Sequence, residues 1–240
     1  MIRFILAILF NAKRGPEIIP TMRKMIKHKE RYPETERYAY AVRFIRYLMK
    51  SARITTEVHG TENLPKDGGY IMYPNHQGKY DALGIMYAHK DSCTFVMDKA
   101  KSYGFVVKEL VELLGAKRLD LHDVRQNFKI MQEMTTDVLK GKKFILFSEG
   151  GYDHNGNVVK TFKPGSFKCA VNAKVPIVPV TLIDSYLAFN SIKPGPINTK
   201  VIFLKPLYYE DYKDLKTVEI AEIVRNRIIE TMKEYGIAED

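Results

Sequence analysis

Residues 72–84 read MYPNHQGKYDALG, with His76 and Asp81 five positions apart directly behind a short apolar run. An imidazole held at one nitrogen by a carboxylate presents its other nitrogen as a base for a hydroxyl proton. Within one continuous helix, positions five apart point about 140° away from each other, so these two side chains meet only across a turn. Gly78 permits such a turn, and an Asp81 at the start of a following helix would accept the imidazole N–H. An ordinary strand-to-helix connection uses the same residue types, so the residues alone leave both readings open.

The elements that would place this pair follow from hydropathy. Short β-rich runs at 54–60, 69–74, 93–98, 143–148, 175–183 and 200–206 alternate with helical patterns near 80–89, 102–114, 123–140, 165–173 and 217–235. Several runs are apolar throughout, as in strands covered on both faces. In the last helical pattern Ala221, Val224, Ile228 and Met232 recur at helical spacing. The alternation predicts an α/β fold, a mixed and largely parallel sheet flanked by helices, over residues 54–240. In open sheets of this kind reactive residues collect where strands end and helices begin, which is where NHQGKYD falls.

Residues 1–53 have a different texture. The first 60 residues hold 13 Lys and Arg against 5 Glu, a net of +8, while the whole chain carries only +10. MIRFILAILF is apolar but about half the roughly 20 residues that a bilayer crossing takes, and it lacks the cleavage site of a signal peptide. In ERYAYAVRFIRYLMKSAR (36–53), Arg43, Arg46, Lys50 and Arg53 form one cationic stripe beside an apolar face of Ala41, Phe44, Ile45, Leu48 and Ala52. The segment reads as a basic amphipathic helical motif that lies on an anionic membrane with its apolar face in the acyl boundary. The plainer arrangement packs that face on the main domain. A nucleic-acid partner lacks support, since no zinc finger or RNP pattern occurs. Two cysteines, Cys93 and Cys169, without CxxC spacing indicate a reducing compartment and no disulfide framework, and no ligand spacing implies a metal.

NHQGKYD resembles the Asn-His-x4-Asp motif of the PlsC-type glycerolipid acyltransferases, which include the 1-acylglycerol-3-phosphate acyltransferases. Further blocks are similar in the family's order: VHGTENLPKDGGYIMYPNH leading into the motif, LLGAKRLD (113–120), LFSEGG (146–151), TFKPGSFKCAVNA (161–173) and VPIVPV (175–180). The resemblance spans residues 54 to about 206. It implies that His76 is the base and Asp81 its orienting partner, and that acyl transfer is direct, without an acyl-enzyme. It implies that Glu149 contacts hydroxyls of a glycerol backbone, that Gly150 lets the chain approach the substrate, and that Asn75 and Pro176 belong to the substrate-binding set. Two positions depart from the family pattern: Gly151-Tyr152 stands where Thr-Arg is usual, and Leu121 follows Asp120 where an arginine is usual. Both arginines are expected to bind the acceptor phosphate. Arg118 and Lys163 are the candidate replacements, with Arg125, Lys99 and Lys101 nearby.

The expectation is therefore a peripheral or monotopic membrane acyltransferase on the cytoplasmic face. Its acceptor would be a lysolipid, most simply lysophosphatidate, or failing that another lipid alcohol. Its donor would be acyl-carrier protein or acyl-coenzyme A, with no resident cofactor. A catalytically silent lipid-binding relative is the alternative from another class. Asp153 and His154 read as a tight hydrophilic turn, and His28, His59, His89 and His122 show no partner pattern.

Overall fold

The central strands are those whose sequences leave no polar face. The computed structural model describes residues 7, 15–120, 122–153, 155–191 and 195–237, so most of MIRFILAILF, Lys13, Arg14, Leu121 and His154 lie outside the described residues. Seven strands form one sheet: β1 (Ile54–His59), β2 (Tyr70–Pro74), β3 (Thr94–Asp98), β4 (Lys117–Leu119), β5 (Lys143–Ile145), β6 (Ile177–Ile183) and β7 (Ile197–Phe203), in the order β1-β7-β6-β2-β5-β3-β4. Every residue of β2 and β6 is buried. β6, β2, β5, β3 and β4 run parallel, while β7 pairs antiparallel with β6 and carries β1 parallel to itself. The sheet is mixed and largely parallel, as the sequence pattern predicts.

Side chains alternate between two apolar layers, as the pleat requires. Tyr70 and Met72 of β2 and Val178, Val180 and Leu182 of β6 face one layer. It is completed by α1 (Gly15–Lys27), α2 (Glu34–Ala52), α3 (Asp81–Ala88), α4 (Val107–Leu113) and α7 (Leu187–Asn190). Ile71, Tyr73, Ile177 and Ile183 face the other layer, with α5 (Val124–Leu139), α6 (Lys168–Ala173), α8 (Tyr209–Tyr212) and α9 (Thr217–Glu234). The helical spacing in α9 holds, with Ala221, Val224, Ile228 and Met232 all buried.

Three elements differ most from the sequence pattern, for physical reasons. β7 begins three residues earlier than its apolar run because the buried Thr199 hydroxyl bonds that of Thr56 (2.9 Å), which bonds the Tyr80 hydroxyl (2.6 Å). β4 is three half-buried residues, too short and polar to show a periodicity. The helical pattern 102–114 is broken at Gly104 and at Val106, whose φ of 67° is left-handed, and only 107–113 is regular.

α2 forms where the amphipathic pattern places it, but its apolar face is occupied. Ala41, Phe44, Ile45, Leu48 and Ala52 are all buried in the same layer as α3 and α4, and Tyr38 donates a hydrogen bond to the Met86 carbonyl (2.9 Å). This corrects the expectation that the face lies in an acyl boundary: the plainer arrangement is adopted, with Arg43, Arg46, Lys50 and Arg53 left exposed. No helix among the described residues is long and apolar enough to cross a membrane. Ile45→Ala, in a helix packed this way, will cost about 2–5 kcal/mol of unfolding free energy, measured by urea denaturation; a helix lying on lipid would lose almost nothing in solution.

Candidate active site

β2 ends at Pro74, and the chain turns through Asn75–Tyr80 before α3 begins with Asp81. His76 Nδ1–H donates to Asp81 Oδ2 at 2.7 Å, so the sequence pair does meet. The same oxygen accepts the backbone N–H of Gln77 (2.5 Å) and Gly78 (2.8 Å), while Asp81 Oδ1 accepts the Ser185 hydroxyl (2.5 Å). Gly78 is not in a left-handed conformation. What the turn needs at that position is an N–H aimed at the carboxylate. Asp81 is 1% exposed and has no cation among these partners, so four donors carry its desolvation.

With Nδ1 bound, Nε2 of His76 is the nitrogen left to act as base. The ring is stacked on Phe147 (centroids 4.0 Å apart, 25°) and meets the edge of Tyr152 (4.8 Å, 76°). Its side chain retains 17% exposure, enough for one edge to meet a ligand. Phe147 and Tyr152 come from the segment beyond β5, so the base is fixed by two strand ends.

Two amides hold the turn. Asn75 accepts the Leu182 N–H (2.7 Å) and donates to the Leu182 carbonyl (3.0 Å), as a strand residue would. Gln77 donates to the same carbonyl (2.9 Å) and to Asn157 (2.8 Å), and accepts the Ser185 N–H (2.8 Å). Asn157 in turn exchanges hydrogen bonds with Asp184, 2.9 Å each way, and Asp184 has a left-handed φ of 58°. This clamp delivers Ser185 to Asp81. Both ends of the Asn75 amide are engaged and it is 1% exposed, so in this structure it positions the turn.

Glu149 also enters the site. Oε1 accepts the His76 N–H (2.8 Å) and Oε2 the Lys160 N–H (3.3 Å), and burial pushes its carboxyl up to about 7 against those two donors. Gly150 has a φ of 74°, and a Cβ there would run into the Lys163 side chain. What approaches the backbone closely at Gly150 is therefore the end of the Lys163 side chain. Lys101 is the second cation nearby, its Nζ 5.7 Å from the centre of the Tyr152 ring.

Three of the candidate residues make other contacts. Arg118 turns its guanidinium to Ser102 Oγ (2.9 Å), Glu112 (3.5 Å) and the face of Tyr103 (5.2 Å), and so fastens the 100–103 segment to β4. Lys99 is paired with Asp120 (3.3 Å). Pro176 lies at the opposite end of β6, where its carbonyl accepts the Ile71 N–H (3.1 Å). Six residues separate it from Leu182, roughly 20 Å of strand, so it is corrected to a strand-entry residue outside the site. A cleft of about 1100 Å³ between α2 and the starts of β3 and β5 is at that far end too. Among the described residues no group of His, Cys, Asp or Glu could hold a metal ion. Sequence reasoning did not single out Gln77, Phe147, Asn157 or Ser185. Gln77 lay within NHQGKYD and Phe147 within LFSEGG, while Asn157 and Ser185 had no spacing to mark them.

A family model described as Acyltransferase matches residues 55–183, just over half of the chain. The chain belongs to the acyltransferase family. It is similar to 1-acyl-sn-glycerol-3-phosphate acyltransferase alpha of Mus musculus, 27% identical over 204 residues, 81% of this chain and 71% of that protein. It is similar also to the 1-acyl-sn-glycerol-3-phosphate acyltransferase of Saccharomyces cerevisiae, 30% identical over 188 residues, 76% of this chain but less than two thirds, 61%, of that protein. The crystal structure of the 1-acyl-sn-glycerophosphate acyltransferase PlsC from Thermotoga maritima shares the fold, with a TM-score of 0.73 over 97% of both chains at 22% identity.

In this acyltransferase the Glu149 carboxyl binds its proton more tightly folded than unfolded, where its ordinary value is 4.5. The folded state therefore holds more protons between about 4.5 and 7, and this group makes stability fall as pH rises through that window. Glu149→Gln will flatten that part of the stability profile, measured by denaturant midpoints from pH 4.5 to 8. Ser185→Ala removes one of four donors to Asp81 and will lower kcat about tenfold with KM nearly unchanged, read from steady-state kinetics.

Proposed function

We propose that this acyltransferase moves a fatty acyl group from an acyl thioester, on acyl-carrier protein or coenzyme A, to the free hydroxyl of lysophosphatidate, giving phosphatidate. The observation that carries the reading is the free Nε2 of His76, set at a strand end by the buried, four-donor Asp81. The names of the mouse and yeast relatives support the choice of acceptor.

In this scheme Nε2 takes the proton of the acceptor hydroxyl as its oxygen attacks the thioester carbonyl, and returns that proton to the departing thiolate. One C–O bond forms and one C–S bond breaks. Asp81 fixes the tautomer that leaves Nε2 unprotonated and stabilises the imidazolium in between. Transfer is direct in this scheme, and the two thiols, Cys93 and Cys169, are buried, which pushes both up. Lys163 and Lys101 are the cations placed to meet the acceptor phosphate, in place of the arginines usual in the family. The acceptor and its acyl chain would reach His76 from an anionic membrane surface, with the protein held peripherally on the cytoplasmic face.

His76→Ala will lower phosphatidate formation by about 10²- to 10⁴-fold, and Asp81→Asn by a similar factor, assayed with radiolabelled donor and a panel of lysolipids; undiminished transfer by His76→Ala rejects His76 as the base. Lys163→Met will raise KM for lysophosphatidate by about tenfold while sparing a lysolipid whose phosphate is masked. Tyr152 stands where the family has an arginine, and a preference for the masked acceptor in the same panel would transfer the proposal to that substrate.

A further inference from the structure

Nine large apolar side chains are exposed among the described residues, and four of them border the end of one edge strand: Tyr103 (57%), Phe105 (66%), Val124 (82%) and Phe128 (65%). The Tyr103 ring lies under the Arg118 guanidinium of β4. The first turn of α5 is bound to the same strand, through Gln126 Nε2 to the Arg118 carbonyl (2.9 Å) and through the Gln126 and Asn127 side chains, which accept the Asp120 N–H at 3.0 Å each. Val124 and Phe128, four residues apart, share one side of α5. Both apolar groups therefore flank the C-terminal ends of β3 and β4, the end of the parallel strands at which His76 sits.

The backbone holds this arrangement under strain. Val106, β-branched, has φ 67° and ψ −33°, and this places it in the core at 7% exposure while its neighbour Phe105 points to solvent. The charges around the patch are sorted. Its acids are engaged internally: Asp98 by the Ala100 N–H, Asp120 by Lys99, Asp123 by the Gln126 N–H, Glu112 by Arg118 and Glu109 by Arg23. Lys101, Lys108, Arg125 and Lys129 are exposed and form no ion pair within 4 Å among the described residues. Exposed aromatic residues ringed by unpaired cations match the interfacial layer of an anionic bilayer, apolar below and phosphate above.

We propose that this rim, Tyr103–Phe105 and Val124–Phe128 with its four cations, inserts into the interfacial layer of anionic membranes and so turns the strand ends that carry His76 toward lipid. Its purpose rests on the lipid acceptor proposed above, but its test does not. It assigns to the strand ends the apolar contact that α2, with its face buried, does not make.

The chain contains no tryptophan, so Phe105→Trp, Phe128→Trp and Leu139→Trp each give a full-length protein with a single reporter. Leu139 is the control: it is on the same helix, 64% exposed and followed by Lys140 and Lys142, but lies at the far end. With vesicles of phosphatidylglycerol and phosphatidylcholine brominated on the acyl chains, emission at 105 and 128 will shift to the blue and be quenched, and emission at 139 will not. Pure phosphatidylcholine vesicles will give little quenching at any position. Unquenched reporters at 105 and 128, or equal quenching at 139, overturn the proposal. Phe105→Ser and Phe128→Ser, with unchanged thermal unfolding, will each weaken flotation with anionic vesicles about tenfold or more and leave kcat in detergent micelles intact; undiminished flotation also overturns it. Quenching at 105 and 128 without acyl transfer to any lysolipid would sink the proposed activity and leave the rim, whereas transfer without quenching would do the reverse.

Discussion

The site is organised by the desolvation of one carboxylate. Asp81 is buried at the start of α3 without a cationic partner, and a charge there is tolerable only if its lone pairs are filled. Three donors come from the turn that carries His76 and the fourth from Ser185, more than a hundred residues later. The shape of the turn, the clamp that holds the segment beyond β6 and the left-handed Asp184 all follow from bringing those donors to one point. The base is then oriented as a by-product of satisfying its partner.

Much of this was legible in the sequence, and the misses have a common cause. Apolar runs reported β2 and β6 because a strand covered on both faces has no other composition, and the alternation of runs reported the layers. The His76–Asp81 pair was legible because five residues of separation with a small residue between them allow a turn. Pro176 was misplaced because a block of sequence can resemble a family for reasons of packing as well as of binding. VPIVPV is the start of a buried strand, and Asn75 bonds a backbone. Nor does the sequence show that Arg118 meets Ser102, Glu112 and Tyr103, because those contacts depend on the packing of the 100–103 segment on β4. Ser185 and Asn157 were invisible because their roles are contacts between distant segments.

The amphipathic α2 shows a different ambiguity. A helix packed on a protein core and one lying on a bilayer need the same stripe of apolar residues beside the same polar stripe. The pattern fixes that a face is covered and leaves open by what. Here α3, α4 and β1 cover it, and the charged stripe alone remains for the surroundings. The cations near the site carry a similar lesson: Lys163 beside Gly150 and Lys101 over Tyr152 are flexible point charges rather than planar forks, which relaxes the geometry demanded of an anionic ligand.

The side chains of Asn75 and Gln77 bond the Leu182 backbone beyond the point where β2 and β6 stop pairing through their own peptide groups. The catalytic turn is therefore a continuation of the sheet's most buried seam and not a loop resting on its edge. Its opening requires the two central strands to part, so the turn belongs to the last cooperative unit to melt. Heat would silence this enzyme without a preceding stage in which a folded body carries a disordered base.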